Sequence, residues 1–316
     1  MKKVLIIVFA IILTVAVLVS CTNTDKFNTI TISLPDGAPA LAVAKLMKDF
    51  TYKGYNVNFE IVSGVQEITA SLSQKSTNIA ILPTNIASKL YSQDMDIKLI
   101  SSNVFGVLYI VGTEDIDSLD QLKGQKILSI GQGATPDFML QYILQTNGIG
   151  KDQVTIQYVK EASEAIPQLK AGSAKFAVLG EPAVTMSTQK ADTKILFNLQ
   201  EEWQKLTGFA GYPQVSTVAT GDTVKEHKEF LLAFNKAMQE NVEWIKDNYE
   251  GVNSILYEKG SMVSFGSNKV IENCNVDFVT ASQAKENVTL YLETMQAFNP
   301  AFVGEIPDDA FYQDIK

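Results

Sequence analysis

Four short turns in this sequence carry groups that could hold a small molecule. They are Asp36-Gly37-Ala38, Thr84-Asn85, Gln132-Gly133-Ala134-Thr135 and Glu181. Glycine lets the backbone approach a ligand closely, threonine hydroxyls can bond a ligand or cap a helix, and carboxylates accept hydrogen bonds. Each residue is explained equally well as part of an ordinary turn or cap. The residue types indicate non-covalent binding.

Residues that make and break bonds are scarce. His227 is the only histidine, and we expect it to be solvated in the first turn of a surface helix. The sequence has no Gly-x-Ser-x-Gly turn and no histidine and cysteine cluster. Gly131-Gln-Gly resembles the start of a dinucleotide fingerprint, but Pro136 replaces its third glycine. We predict no enzymatic activity, no cofactor and no metal. A glycosidase using Glu181 and a second acid is the enzyme alternative.

The four turns follow strand-like segments that occur in matched pairs. Residues 30–34 and 126–130 are β-branched runs that lead through a glycine turn into an apolar helical period. Residues 78–82 and 175–179 form a second pair at nearly the same offset of about 96 positions. Amphipathic helices are predicted before this second pair, at about 65–74 and 161–170. Strands alternating with helices indicate parallel sheets covered on both faces.

Two such units predict an α/β fold of two lobes, each a mostly parallel sheet flanked by helices. The extended stretch 97–111, interrupted near Asn103, could cross from the first lobe to the second, and a return crossing is expected near 212–219. The predicted lobes are residues 28–112 plus 214–316, and residues 113–213.

The C-terminal third is predicted to be mostly helical and to pack on the first lobe. Thr223-Val-Lys-Glu226 has the pattern of a capping box that opens a long helix. The apolar stripe predicted for that helix consists of Phe230, Leu231, Phe234, Met238 and Ile245.

The N-terminus predicts export. Two lysines precede an apolar run from Val4 to Val19, and the chain turns polar after Cys21. This is typical of a secretory signal and too short for a typical transmembrane helix. Residues 1–20 are the predicted signal peptide and 21–27 a tether. An uncleaved N-terminal anchor is the alternative, and either arrangement places the rest of the chain outside the cytoplasm.

Charge argues against nucleic acid as a partner. Without Lys2 and Lys3 the chain keeps 24 lysines against 35 acidic residues, a net charge of about −11. Phosphate backbones would repel such a surface. Once Cys21 is modified, Cys274 has no cysteine to pair with, so we expect a buried, unreactive thiol.

Several segments together resemble the substrate-binding lipoproteins of ABC importers. They are the lipobox-like Leu18-Val-Ser-Cys21, the strand exit Pro35-Asp-Gly-Ala-Pro-Ala40, Asp117-Ser-Leu-Asp-Gln-Leu-Lys-Gly-Gln-Lys-Ile127, Gly131-Gln-Gly-Ala-Thr135 and Leu179-Gly-Glu-Pro-Ala183. The chain is most similar to the group that includes sulfonate-, taurine-, nitrate- and thiamine-precursor-binding proteins.

The resemblance implies a type II periplasmic-binding fold that captures its ligand by hinge closure. It implies a diacylated Cys21 at the outer face of a bacterial membrane, a permease as partner, and a monomer. A surface adhesin on the same fold is an alternative of another class.

The sequence also bears on the ligand. It contains no arginine, so a bidentate guanidinium fork for a carboxylate is absent. Asp36, Asp137 and Glu181 near the expected cleft suit a ligand that brings N–H donors or positive charge. This favours a nitrogen heterocycle, such as a pyrimidine vitamin precursor, over a sulfonate, taurine or nitrate. The aromatic residues proposed to stack on its ring are Tyr109, Phe138 and Tyr212.

Overall fold

The computed structural model describes residues 28–130, 132, 135–160 and 162–316, which form two mixed β-sheets flanked by helices. Cys21, Gly133 and Ala134 lie outside the described residues, as do the predicted signal peptide and tether. The predicted α/β architecture is observed, and each sheet is mixed, because parallel and antiparallel neighbours occur in both.

The first sheet has six strands in the spatial order β11-β4-β10-β3-β1-β2. Its strands are β1 (Asn28–Pro35), β2 (Tyr55–Val62), β3 (Ile79–Pro83), β4 (Ile97–Val104), β10 (Val215–Thr220) and β11 (Val276–Thr280). Strand β1 is parallel to β2 and β3, whereas β10 is antiparallel to β3 and β4, and β11 is antiparallel to β4.

The second sheet has five strands in the order β7-β6-β8-β5-β9. Its strands are β5 (Leu108–Gly112), β6 (Lys126–Ile130), β7 (Thr155–Val159), β8 (Phe176–Gly180) and β9 (Lys194–Asn198). Strand β6 is parallel to β7 and β8, and β5 is antiparallel to β8 and β9.

The helices connect these strands and cover the sheets. They are α1 (Ala38–Leu41), α2 (Ala44–Asp49), α3 (Val65–Ser73), α4 (Thr84–Tyr91), α5 (Thr135–Thr146), α6 (Ala162–Lys170), α7 (Ala183–Ala191), α8 (Leu199–Thr207), α9 (Gly221–Glu226), α10 (Lys228–Lys246), α11 (Tyr249–Glu258), α12 (Asn268–Glu272) and α13 (Ala281–Phe298). Short 3₁₀ turns lie at Leu119–Leu122, Pro300–Phe302 and Asp309–Phe311. Strands β1, β3, β6 and β8 each lead directly into a helix, as the matched units predicted.

The chain crosses between the sheets at residues 105–107, inside the predicted 97–111 stretch but before the predicted lobe boundary. Strand β5 pairs with β8 and β9, so it belongs to the second sheet, although the predicted boundary at residue 112 assigned it to the first lobe. The break falls at Gly106, whose φ of +79° separates β4 from β5. The chain returns through residues 208–214 and enters β10.

The start of the long C-terminal helix also differs from expectation. Thr220 is the cap, and its Oγ1 accepts a hydrogen bond from Thr223 N at 3.3 Å, so Thr223 lies inside the short helix α9. The long helix α10 begins only after His227. The imidazole of His227 is half-buried, with Nδ1 3.0 Å from Tyr55 Oη, because β2 lies beside this end of α10. The predicted stripe of α10 is buried.

Helix α13 joins the cores of the two sheets. Its Tyr291 packs against Phe138 of α5 and Trp203 of α8, while Leu292 belongs to the same buried cluster as Leu99 of β4. One hydrophobic core therefore extends from the first sheet to the helices of the second, on the face that α13 covers.

Candidate functional site

The described residues of the four predicted turns follow the carboxyl ends of four strands. Asp36 follows β1 and Thr84 follows β3 in the first sheet, while Gln132 follows β6 and Glu181 follows β8 in the second. Leu108, the first residue of β5, pairs with Gly180 at the end of β8, so the 105–107 crossing lies at this edge of the second sheet. Helix N-termini and polar loops at such an edge are where open α/β sheets bind ligands.

Gln214 fastens the two crossings to each other. Its backbone N–H donates to Val104 O at 2.9 Å, and its carbonyl accepts from Thr84 N at 3.0 Å. Its side-chain Oε1 accepts from Val107 N at 3.2 Å. One residue of the return crossing thus fixes the end of β4, the start of α4 and the outgoing crossing. Sequence reasoning did not identify it.

Asp36 anchors a distant loop at the end of β1. Its Oδ1 accepts hydrogen bonds from Ser261 Oγ at 2.6 Å and from Gly37 N at 2.8 Å, and its Oδ2 accepts from Met262 N at 2.8 Å. Met262 is 94% exposed beside this carboxylate. Gly37 has φ +94°, which favours glycine, and Ala38 is buried at the start of α1. The 261–263 loop was not predicted to take part.

Thr84 and Asn85 are held by the protein. Thr84 is fully buried and its Oγ1 lies 2.8 Å from Ser216 Oγ of β10. Asn85 Nδ2 donates to Phe302 O at 3.0 Å. Their hydrogen bonds fix the start of α4 against the first sheet and the C-terminal segment.

Glu181 connects the second sheet to the first lobe. Its Oε2 accepts from Thr185 N, in the first turn of α7, at 3.1 Å. Its Oε1 accepts from Thr185 Oγ1 and from Asn273 Nδ2, each at 3.0 Å. The residue is only 6% exposed. The carboxylate therefore already has three protein donors.

Tyr109 belongs to the same contact. Its hydroxyl donates to Asn273 O at 2.9 Å. Burial, and to a smaller extent the nearby charge of Glu181, raise the pKa of this phenol well above its ordinary value. Asn275, at φ +47°, accepts from Phe105 N at 3.0 Å and donates through Nδ2 to Gly106 O at 2.8 Å. The 273–275 segment thus forms a third connection between the lobes. Its only sequence signal is a pair of asparagines typical of turns.

Thr135, Phe138 and Tyr212 meet around Tyr291 of α13. Tyr212 stacks on Tyr291 with ring centroids 5.8 Å apart, and Phe138 meets it edge-on at 6.1 Å. Thr135 Oγ1 lies 3.4 Å from Tyr291 Oη. Phe138 and Tyr212 are fully buried, so either ring could stack on a ligand only if the surrounding side chains moved. Gln132 is exposed in the turn after β6.

Two kinds of feature are absent from the described residues, a cluster of metal ligands and a membrane-spanning helix. They contain no group of three or more histidine, cysteine, aspartate or glutamate side chains suited to a metal ion. No helix among the described ranges is both long and apolar enough to cross a bilayer. Cys274 is buried. This burial, and to a smaller extent the charge of Glu181, raise the pKa of its thiol.

Comparison with known proteins fits this geometry. YtlA of Bacillus subtilis (strain 168), which carries the name of a binding protein, is 23% identical over 215 residues, or 66% of this chain and 62% of YtlA. The chain thus matches less than two thirds of that relative's length. An ABC transporter structure from Parabacteroides distasonis is 26% identical with a TM-score of 0.78, covering 92% of this chain and all of that one.

The periplasmic aliphatic sulphonate-binding protein SsuA of Escherichia coli shares the fold. Its TM-score is 0.71 at 13% identity, with 92% of this chain and 93% of SsuA covered. The family model described as NMT1/THI5 like matches residues 48–251, which is more than half of the chain. This protein belongs to the NMT1/THI5-like family and has the two-lobed fold of periplasmic binding proteins.

Proposed function

We propose that this protein is the extracytoplasmic, lipid-anchored solute-binding component of an ABC importer, and that it captures a small organic molecule between its lobes. One observation carries the proposal. The candidate residues follow the carboxyl ends of β1 and β3 in one sheet and of β6 and β8 in the other, and two of them bond the crossings: Thr84 N donates to Gln214 O, and Glu181 N donates to Val107 O. The family and the ABC transporter relative support this role.

The lobes in this proposal are hinged at residues 105–107 and 208–214. Few backbone dihedrals change in such a hinge while each sheet stays packed. The packing around Tyr291 joins both lobes, so closure must slide this contact or carry α13 with the second lobe. The ABC permease is the proposed partner, and the protein is proposed to act as a monomer.

The leading ligand class is a nitrogen heterocycle such as a pyrimidine vitamin precursor. The absence of arginine supports it, because a carboxylate or sulfonate would lack a guanidinium fork. The support from acidic residues is weaker than the sequence suggested. Asp36 and Glu181 accept hydrogen bonds from the protein, and Asp137 accepts one from Tyr158 Oη at 2.7 Å. A sulfonate, taurine or nitrate-type anion is the second candidate, favoured by the sulphonate-binding SsuA neighbour.

A thermal-shift screen tests both classes, because a ligand that binds only the folded state raises the melting temperature. We expect pyrimidine precursors to raise it and aliphatic sulfonates to leave it unchanged. Small-angle scattering with the ligand identified should then show a smaller radius of gyration. A ligand that binds without compaction would remove hinge closure from the proposal and favour the adhesin alternative. Hydrolysis of a glycoside would favour the enzyme alternative.

A further inference from the structure

A groove separate from the predicted turns is lined by residues of both crossings and of β11. Its volume is about 600 Å³, within the usual range for small-molecule sites. Both crossings contribute to its wall, together with α10, α12, β11 and α13. Its main lining residues are Phe105, Phe209, Ile245, Val276, Gln283 and Asn287.

This groove is separate from the proposed interlobe site. It lies at the β11 edge of the first sheet, whereas β1 and β3 lie on the other side of β4. The residues proposed above for ligand binding, as far as the structure describes them, do not line it.

The wall combines apolar surface with an unpaired polar atom. Phe105 and Phe209 are half-buried, and Ile245 is buried beside them. Asn287 is 8% exposed, and its Nδ2 donates to Gly211 O of the return crossing at 2.8 Å. Its Oδ1 has no hydrogen-bond partner within the described part of the chain. A buried carbonyl oxygen without a donor is unfavourable, so an N–H group entering here would be stabilised.

The rim is more acidic than basic. Glu272 and Asp277 are exposed there, against a single lysine, Lys246. Lys246 Nζ lies 2.7 Å from Glu243 Oε1, and Glu272 Oε2 lies 3.1 Å from Lys269 Nζ, so each of these two charges has an opposite charge beside it. Asp277 therefore supplies the excess negative charge at the rim. The whole chain is also acidic, with a formal net charge of −9. The field at the rim therefore favours a cation over an anion.

We propose that this groove is a second small-molecule site, and that it takes a planar aromatic cation carrying N–H donors. The ring packs between Phe105 and Phe209, the N–H groups satisfy Asn287 Oδ1, and the positive charge faces Asp277. The bound molecule contacts both crossings. Its binding does not depend on which ligand the interlobe cleft takes.

Benzamidinium is a suitable probe. Its binding can be followed by NMR of the full chain, through the chemical shifts of the Ile245 and Val276 methyl groups that line the groove. We expect saturable methyl shifts with benzamidinium, and binding of benzoate at least roughly fivefold weaker at equal ionic strength. Ala210→Trp should abolish these shifts, because the exposed Ala210 lines the groove and an indole there would fill it. Asp277→Lys should weaken benzamidinium binding.

Two control variants locate the probe. Ala301→Trp changes an exposed alanine outside the groove, and Asp36→Asn changes the other side of the first sheet. Both should bind benzamidinium as the wild type does. The proposal would be overturned if benzamidinium caused no methyl shifts up to its solubility limit, or if benzoate bound with equal affinity. It would also be overturned if Ala210→Trp bound the probe unchanged, or if Asp36→Asn lost binding.

Discussion

Asn273 of the first lobe donates a hydrogen bond to Glu181 of the second at 3.0 Å, beside the crossing that joins them. The backbone carbonyl of the same asparagine accepts a hydrogen bond from the hydroxyl of Tyr109 at 2.9 Å. One turn residue therefore holds both the end of β8 and the start of β5. This contact links the two lobes non-covalently beside the covalent crossing.

Glu181→Gln is expected to destabilise the fold. A carboxamide has one acceptor oxygen, so it cannot accept from Asn273 and from both Thr185 donors as the carboxylate does. A buried donor left unpaired costs about 1–3 kcal/mol of unfolding free energy. Urea unfolding measures this loss. If the variant instead kept wild-type stability but bound the identified ligand at least roughly tenfold more weakly, Glu181 would be a ligand contact.

Asn273→Ala tests the contact from its other side. We expect lower stability by a similar amount, because Glu181 then loses a charge-assisted hydrogen bond. We also expect a larger radius of gyration without ligand by small-angle scattering. Asn58→Ala, at an exposed asparagine of β2, should leave both unchanged. An Asn273→Ala protein with wild-type stability and dimensions would show that the contact does not restrain the lobes.

The matched strand and helix units could be predicted because their signals are local. A β-branched run followed by a glycine or proline turn and an apolar period specifies a strand, a turn and a helix within one stretch of chain. This was sufficient for β1, β3, β6 and β8 and for the helices that follow them. It placed the interruption of the 97–111 stretch near Asn103, close to the observed break, but it assigned both halves to the first lobe. Both halves have strand-like sequences, and only strand pairing distinguishes them.

The partners of the site could not be predicted, because they are remote in the sequence. Ser261 meets Asp36 across 225 positions, and Asn273 meets Glu181 across 92. Nothing local marks such contacts. The aromatic residues show the same limit. Phe138 and Tyr212 are aromatic and could stack on a ligand. In the structure, however, both rings pack against Tyr291 of α13 in the core.

Gly106→Ala should disrupt the outgoing crossing. An added Cβ would lie 2.7 Å from Gln200 Cγ and from the ring of Tyr212, at a φ of +79°. Gly124→Ala is the matched control, because Gly124 has φ +76° with nothing within 4 Å of the added carbon. Both variants carry backbone strain of about 1–2 kcal/mol. Urea unfolding should show a further loss of about 1–3 kcal/mol for Gly106→Ala alone. Equal losses would mean that the crossing tolerates the extra carbon.

Tyr91 should titrate unusually late. Its hydroxyl donates to Asp308 Oδ1 at 2.7 Å, and this hydrogen bond, with burial and the charge of Asp308, raises its pKa from 10.0 to about 12. The folded state favours the neutral phenol, so this contribution to stability is complete below pH 10 and is lost as the pH rises through about 12. NMR of ¹³C-labelled tyrosine measures the pKa. Asp308→Asn should lower it and Asp309→Asn should not, because Asp309 bonds Lys285 instead. A Tyr91 pKa unaffected by Asp308→Asn would contradict this.

Lipidation at Cys21 is tested by comparing the two cysteines of the chain. Cys21→Ser should leave the precursor uncleaved at the lipoprotein site and free of acyl label, because the thiol that accepts the diacylglyceryl group is absent. Cys274→Ser should be labelled as fully as the wild type, since Cys274 is buried with its Sγ 3.3 Å from Val270 O. Growth with radiolabelled palmitate, followed by electrophoresis of the membrane fraction, reads out both variants. Normal labelling of Cys21→Ser would show that the acyl chain is attached elsewhere and that the proposed anchor is wrong.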